Sequence, residues 1–365
     1  MRTFRLSWLA ALLTCVALPV GSKAQQQPFV VHDTKPVITH GPYLVDPSET
    51  AVTVVWITDT PSHALVRFGE ARDGDEAALD REAESRSHGL LDVATRHVVR
   101  LSGLMPGRTY RYQVVATRVV KLNAYWPEKG LPTAGPVRTF RTFDRAQAST
   151  TFSVITDTHE DVARINALMQ RIDWKTSEFL AQTGDAFHWL DSEDQLFAKW
   201  LDPLNKALAG ERPLVFARGN HEWRGPFARS LFDYLPTAEG RYYMARDVGP
   251  VHLLVLDSGE DKPDETNVYS RLNRSEPYLA EQLQWLGKHR ESDPRMASAP
   301  FRVVLMHQPR WGSMPPARER AGEPDGLARW IEAANAAGVD LVIAGHTHRF
   351  ARVPPGSPGF EQRDS

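Results

Sequence analysis

Cysteine is nearly absent: Cys15 is the single one among 365 residues, and it lies in the apolar N-terminal run. If that run is removed, no disulfide framework, thiol nucleophile or cysteine-ligated metal is available, and stability must come from core packing. A dominant charge is also lacking. Forty-three Lys and Arg against 45 Asp and Glu leave a formal net charge of -2, so no nucleic-acid groove or anionic-membrane surface is evident, although a local basic pocket remains compatible. There is no internal repeat and no low-complexity tract. With 42% hydrophobic and 24% charged residues, the chain reads as an ordinary globular protein of two domains.

Residues 1–24 read as an export signal: Arg2 and Arg5, an apolar run over 6–20, and Ser22-Lys23-Ala24 as a small-x-small cleavage site. The run is too short to serve as a transmembrane anchor, and polar Gln25, Gln26 and Gln27 follow it. Cleavage after Ala24 predicts a periplasmic or secreted protein. The competing reading is a lipoprotein, because Leu12-Leu13-Thr14 precedes Cys15; threonine suits that position poorly and the apolar run continues past it.

Residues 38–143 read as an all-β sandwich, with short strands punctuated by turn residues. Val52, Val54 and Trp56 alternate with Thr53, Val55 and Ile57, the pattern of a strand with one face in a core. Pro106-Gly107 leads into Thr109-Tyr110-Arg111-Tyr112, which matches the tyrosine corner of Greek-key sandwiches. This stretch resembles the fibronectin type III-like N-terminal domain of purple acid phosphatases.

Residues 150–353 change to strand-like runs alternating with helical segments, the signature of an α/β domain. Strands are expected over 152–156, 179–183, 214–217, 251–256, 303–306 and 341–344, and helices over 162–175, 278–289 and 327–337. Five of the six strand runs lead into metal-donor blocks: Asp157-Thr158-His159, Gly184-Asp185, Gly219-Asn220-His221-Glu222, His307 and Gly345-His346-Thr347-His348. Loops at the carboxyl ends of such strands converge on one crevice, so donors far apart in sequence can meet there. Asp and Asn oxygens mixed with neutral imidazoles suit two divalent ions such as Mn, Fe or Zn, with a carboxylate shared between them. The fourth run ends in Asp257, read as turn chemistry. The polar, acidic loop over 258–275 is expected to be a surface excursion beside the functional face.

The order D-x-H, G-D, G-N-H-E, H, G-H-x-H resembles the calcineurin-like metallophosphoesterase superfamily. With the sandwich ahead of it, the chain is similar to purple acid phosphatases. The resemblance implies a four-layer α/β/β/α domain in which Asp157, His159 and His348 bind one metal, Asn220, His307 and His346 bind the second, and Asp185 bridges them. It leaves His221 to hydrogen-bond the phosphate and assist the departing oxygen, with Glu222 orienting it through the second imidazole nitrogen. The expected activity is hydrolysis of a small-molecule phosphate ester by a metal-bound hydroxide, in a monoester by preference. Phosphodiester or nucleotide pyrophosphate hydrolysis is the alternative, and a non-catalytic binding protein the remote one.

One departure concerns metal chemistry. The family pattern G-D-x-x-Y supplies a tyrosinate to iron, whereas here His188 stands in the tyrosine place and His159 replaces a glycine, so a ferric, tyrosinate-bound centre is not expected. His188, Arg224 and Arg310 are candidate substrate contacts. Trp189, Trp223 and Trp311 sit just beyond donor blocks, either packed under the loops or forming an aromatic rim.

Overall fold

The structure, a computed structural model, describes residues 29–71, 79–309 and 324–354. The expected leader over 1–24, Arg310 and Trp311 lie outside the described residues. The described residues form first β1 (Ile38–Val45) and the 19-residue β2 (Val52–Glu70), followed by β3 (Arg81–Glu84) and a small hairpin of β4 (Arg86–Ser87) and β5 (Leu90–Leu91). Strands β6 (Ala94–Leu101), β7 (Thr109–Lys121), β8 (Glu128–Ala134) and β9 (Arg138–Arg141) complete this part.

Strand β2 organises it. Its first half pairs with β1 and β6, its second half with β3 and β7, and its register shifts between Ile57 and Ser62. Val54 and Trp56 from the first half and Val66 and Phe68 from the second enclose one core with Tyr110, Tyr112 and Phe140, as a sandwich requires. The tyrosine corner is present: the Tyr110 hydroxyl accepts from the Met105 N–H at 2.9 Å. The other face of β2 is covered as well. Val55 and Ile57 are buried against the helices of the following domain, so this strand is covered on both sides.

That domain runs β10 (Ser153–Ile155), α1 (Val162–Met169), β11 (Leu180–Thr183), α2 (Glu193–Leu196), α3 (Asp202–Leu208) and β12 (Leu214–Ala217). It continues with β13 (Met244–Val248), β14 (Val251–Val255), α4 (Ser275–Ser292), α5 (Pro294–Ser298), β15 (Phe301–Leu305), α6 (Pro324–Ala337) and β16 (Leu341–Ile343). A π-helical turn over Phe197–Leu201 joins α2 to α3. Strands β10, β11 and β12 are parallel, and β12 meets β1 in parallel at Val45↔Leu214, so the sandwich and this half-sheet form one ten-stranded sheet. The second sheet is ordered β13-β14-β15-β16, with β13 antiparallel to β14 and the others parallel.

The sheets face each other across a layer containing Phe179, Ala181, Val215, Leu253, Val255 and Val303. The helices over Val162–Leu208 cover the outer face of the first sheet, and α4 and α6 cover that of the second. This is the four-layer α/β/β/α architecture.

Several elements depart from expectation. Strand β13 was not anticipated because Arg246 and Asp247 interrupt its apolar pattern. Arg246 is buried between Asp46 and Glu239, and Asp247 pairs with His252 and Arg295. The helices over Glu193–Leu208 and Pro294–Ser298 are likewise extra, while the expected helix over 162–175 ends at Met169. Among the described residues, no helix is long and apolar enough to cross a membrane.

Candidate metal centre

The donor blocks follow the carboxyl ends of β10, β11, β12, β15 and β16, and the two sheets bring them together. Tight backbone turns deliver them: Asp157, His159, Asp185, His346 and His348 all have positive φ, between 43° and 73°. Such conformations are unfavourable for non-glycine residues and cluster at functional sites. Gly184, at φ 83°, permits a close approach, since a Cβ there would stand 2.6 Å from the Gly219 Cα and 2.7 Å from the His307 ring.

Two clusters result. Asp157, His159 and His348 converge, with His348 Nε2 at 3.2 Å from both Asp157 Oδ1 and His159 Nε2. Asp185, His307 and His346 form the second; Asn220 joins it with Oδ1 at 3.1 Å from His346 Nδ1. Asp185 Oδ2 lies 2.9 Å from His307 Nε2 and 4.0 Å from His159 Nε2, between the two clusters. A carboxylate in that place is positioned to bridge two cations.

Outer hydrogen bonds fix the rings. His159 Nδ1 donates to the Phe187 carbonyl at 3.1 Å and His307 Nδ1 to the Thr183 carbonyl at 2.8 Å, which leaves each Nε2 as the inward lone pair. His307 Nε2 is buried and makes no aligned hydrogen bond, and the Asn220 amide nitrogen is likewise unpartnered. Buried polar atoms normally find partners, so an orphaned imidazole nitrogen aimed at a carboxylate fits a divalent cation between them.

Burial lowers the pKa of His159 and of His346, where the charge of His307 adds to it, and so favours the neutral rings that ligation needs. Burial alone would lower His307 as well, but the Asp185 carboxylate outweighs it and raises that ring.

A further group, His252, His289 and Asp293, lies where β14 begins, at the end of the sheet away from the donor blocks. Its Nε2 atoms are 2.9 Å apart, with ring planes within 11° and centroids 5.2 Å apart. That is the head-on, coplanar geometry of an N–H···N hydrogen bond. The bent pair His159 and His348 has planes 35° apart and centroids at 5.1 Å.

His221 borders the bridging carboxylate, with Nε2 at 3.7 Å from Asp185 Oδ2. The expected partner of its second nitrogen is corrected: Nδ1 donates to the His188 carbonyl at 2.6 Å, and Glu222 does not orient the ring. Glu222 points inward instead, fully buried, and accepts from the backbone N–H groups of Gly219 at 2.8 Å, Asp185 at 2.9 Å and Ala186 at 2.7 Å. Burial, helped by the charge of Asp185, pushes its carboxyl up to about 7. Glu222 therefore ties the loops carrying Asp185 and Asn220 to each other.

The candidate substrate contacts separate. His188 is exposed and stacks on His159, with centroids 4.7 Å and planes 13° apart. Arg224 is corrected as a free phosphate clamp: its guanidinium grips Glu260 through Nε at 3.1 Å and Nη2 at 2.7 Å, and Nη2 also meets Asp261 at 2.8 Å. Its Nη1 lies 3.1 Å from His221 Nε2.

Those acidic partners belong to the loop over 258–275, whose charge was the available signal, although Glu260 and Asp264 are buried rather than at the surface. Asp257 makes the expected turn, accepting from the Gly259 N–H at 2.8 Å, and also pairs with the half-buried Arg218 at 2.6 Å. The Arg218 guanidinium lies over the rings of Trp223 and Tyr242, at 3.8 and 4.2 Å. Trp223 thus packs beneath the loops, whereas Trp189 is 53% exposed.

With five strand ends delivering their donors to one crevice, comparison with known proteins is decisive at the level of family. Residues 150–350 match the calcineurin-like phosphoesterase family, and the chain belongs to it. Residues 42–142 match the purple acid phosphatase N-terminal domain. Purple acid phosphatase 18 of Arabidopsis thaliana is 25% identical over 200 residues, covering 48% of this chain and 40% of that protein. The fold resembles that of purple acid phosphatase PPD1 from yellow lupin (Lupinus luteus) seeds, with a TM-score of 0.58 at 16% identity over 86% of this chain and 58% of that one. The chain spans about half the length of these relatives.

Proposed function

We propose that this chain is an exported phosphoesterase that hydrolyses small phosphate esters, monoesters by preference, at a centre of two divalent ions. The observation carrying this reading is the placement of Asp185 Oδ2 between the Asp157–His159–His348 and Asn220–His307–His346 groups. When bound, two divalent cations supply activated water and neutralise the phosphate oxygens.

The chain's own residues do the remainder. Asp157, His159 and His348 would hold one ion and Asn220, His307 and His346 the other, with Asp185 placed to serve both. His221, fixed by the His188 carbonyl through Nδ1–H, turns Nε2 toward the ester and, in its doubly protonated form, hydrogen-bonds the phosphate and gives the departing oxygen its proton. Glu222 positions the two loops. His188 lies over the mouth as a substrate contact, and the division into a leader over 1–24, a sandwich over 38–143 and a catalytic domain over 150–353 follows from the same reading.

The test is to strip the protein with chelator and titrate manganese back while assaying p-nitrophenyl phosphate and its bis ester in parallel. Activity is expected to rise to a plateau at two equivalents per chain, with the monoester preferred. Full turnover at one equivalent, or none at any loading, refutes the reading.

A further inference from the structure

We infer that Trp189 is a stacking platform that selects phosphate esters with a planar aromatic leaving group, an inference that rests on the phosphoesterase reading. The indole is presented, not left over. Its neighbours Phe187 and Leu190 are fully buried and anchor the segment on both sides, yet Trp189 is 53% exposed. The segment is held at several points: Leu190 N–H donates to the Arg224 carbonyl at 2.9 Å and Phe227 N–H to the Leu190 carbonyl at 3.0 Å. The Trp189 carbonyl accepts from Gln195 Nε2 at 2.9 Å, and its indole Nε1–H donates to Asp191 Oδ2 at 2.8 Å, which fixes the ring plane. A rigidly held aromatic face offers contact area with little ordering cost when a ligand arrives.

The location gives this surface its use. His188, the preceding residue, stacks on His159, supplies the carbonyl that orients His221, and has its ring centroid 6.1 Å from those of both His221 and Trp189. An ester oxygen assisted by His221 therefore departs beside two neighbouring aromatic rings, their planes 45° apart. An alkyl leaving group has no flat face to lay there; an aryl group or a nucleobase does. Stacking of a base or aryl ring on an aromatic side chain corresponds to about 5- to 150-fold in affinity.

The experiment uses the metal-loaded full chain and a pair of non-hydrolysable probes, benzylphosphonate, in which CH2 replaces the ester oxygen of phenyl phosphate, and ethylphosphonate. Calorimetry should show Trp189→Ala weakening benzylphosphonate by about 5- to 150-fold, with ethylphosphonate changed less than about twofold, and Trp189→Phe retaining most of the discrimination. Equal weakening of both probes, or no weakening of benzylphosphonate, overturns the inference. Turnover of phenyl phosphate, a nucleoside 5′-monophosphate and glycerol 2-phosphate then distinguishes aryl from nucleoside leaving groups by which kcat/KM falls in Trp189→Ala. Probe discrimination without turnover of any ester sinks the phosphoesterase reading and leaves the platform standing.

Discussion

Replacement of Glu222 tests whether this buried carboxylate serves the proton chemistry of His221 or the architecture of the metal site. Its Oε2 accepts from Gly219 and Asp185 and its Oε1 from Ala186, at 2.7 to 2.9 Å in a fully buried setting. Hydrogen bonds to a charged group contribute about 1.5–3 kcal/mol each. Glu222→Ala abolishes these three, along with a longer contact from the Phe187 N–H at 3.4 Å, and the three short bonds alone should cost about 4.5–9 kcal/mol, shared between global stability and metal affinity. Glu222→Gln keeps one oxygen and sets an NH2 group against the N–H groups that met the other, at a cost of about 2–4 kcal/mol. Since the bonded amides flank Asp185 and Asn220, both variants should release metal more readily, by at least about tenfold for the alanine. Metal content after dialysis against graded chelator, together with the melting temperature, reads this directly. Wild-type metal affinity and stability in both variants, with only the pH–rate profile altered, would return Glu222 to the role of orienting His221 and refute the reasoning.

His221→Ala should lower kcat by roughly 10²- to 10⁴-fold while two metals remain bound; loss of metal in that variant would make His221 a ligand. His97, buried beneath Trp56 and 2.9 Å from the Thr58 hydroxyl, has its pKa lowered to about 4 by burial and, secondarily, by His63. The unfolded chain therefore binds the extra proton first. This stabilising contribution is complete above about pH 6.5 and lost as pH falls toward 4, at about 1.4 kcal/mol per unit and about 3 kcal/mol in all. Denaturation series at several pH values should show a shallower loss in His97→Gln, and identical slopes would refute the assignment. Asp257→Asn takes the buried carboxylate from the largely enclosed Arg218 charge just before Gly219 and should cost up to about 3–5 kcal/mol, read as a lower urea midpoint; an unchanged midpoint would show that the aromatic rings alone sustain it.

The centre was legible because each donor block follows an apolar run at a strand's carboxyl end, a coupling of pattern to topology that a single chain displays in full. Strand β13 was hidden because its polarity is matched by partners remote in sequence: Asp46 lies 200 residues from Arg246. Pairings of that kind leave no local signature. Glu222 failed for a related reason. Its place beside His221 in the sequence suggested contact, but side chains one apart on a tight 3₁₀ turn diverge, and the carboxylate turned toward backbone amides that no residue type announces. Arg224 could be read as cationic but not as neutralised, because Glu260 and Asp261 reach it from a loop 36 residues away.

The joining of β1 to β12 has a consequence for modularity. Domains linked by a flexible segment can be cut apart, shuffled or recombined, because each closes its own surface. Here the boundary runs through a sheet, and Asp46 of the first part neutralises Arg246 of the second inside the shared interior. Excising the sandwich would expose the backbone edge of β12, strip the cover from Tyr234 and Phe197, and leave a buried guanidinium short of one carboxylate. The two parts are thus heritable only as a pair, and a library that recombines this family at the apparent domain boundary should yield aggregated catalytic fragments unless the sandwich travels with them.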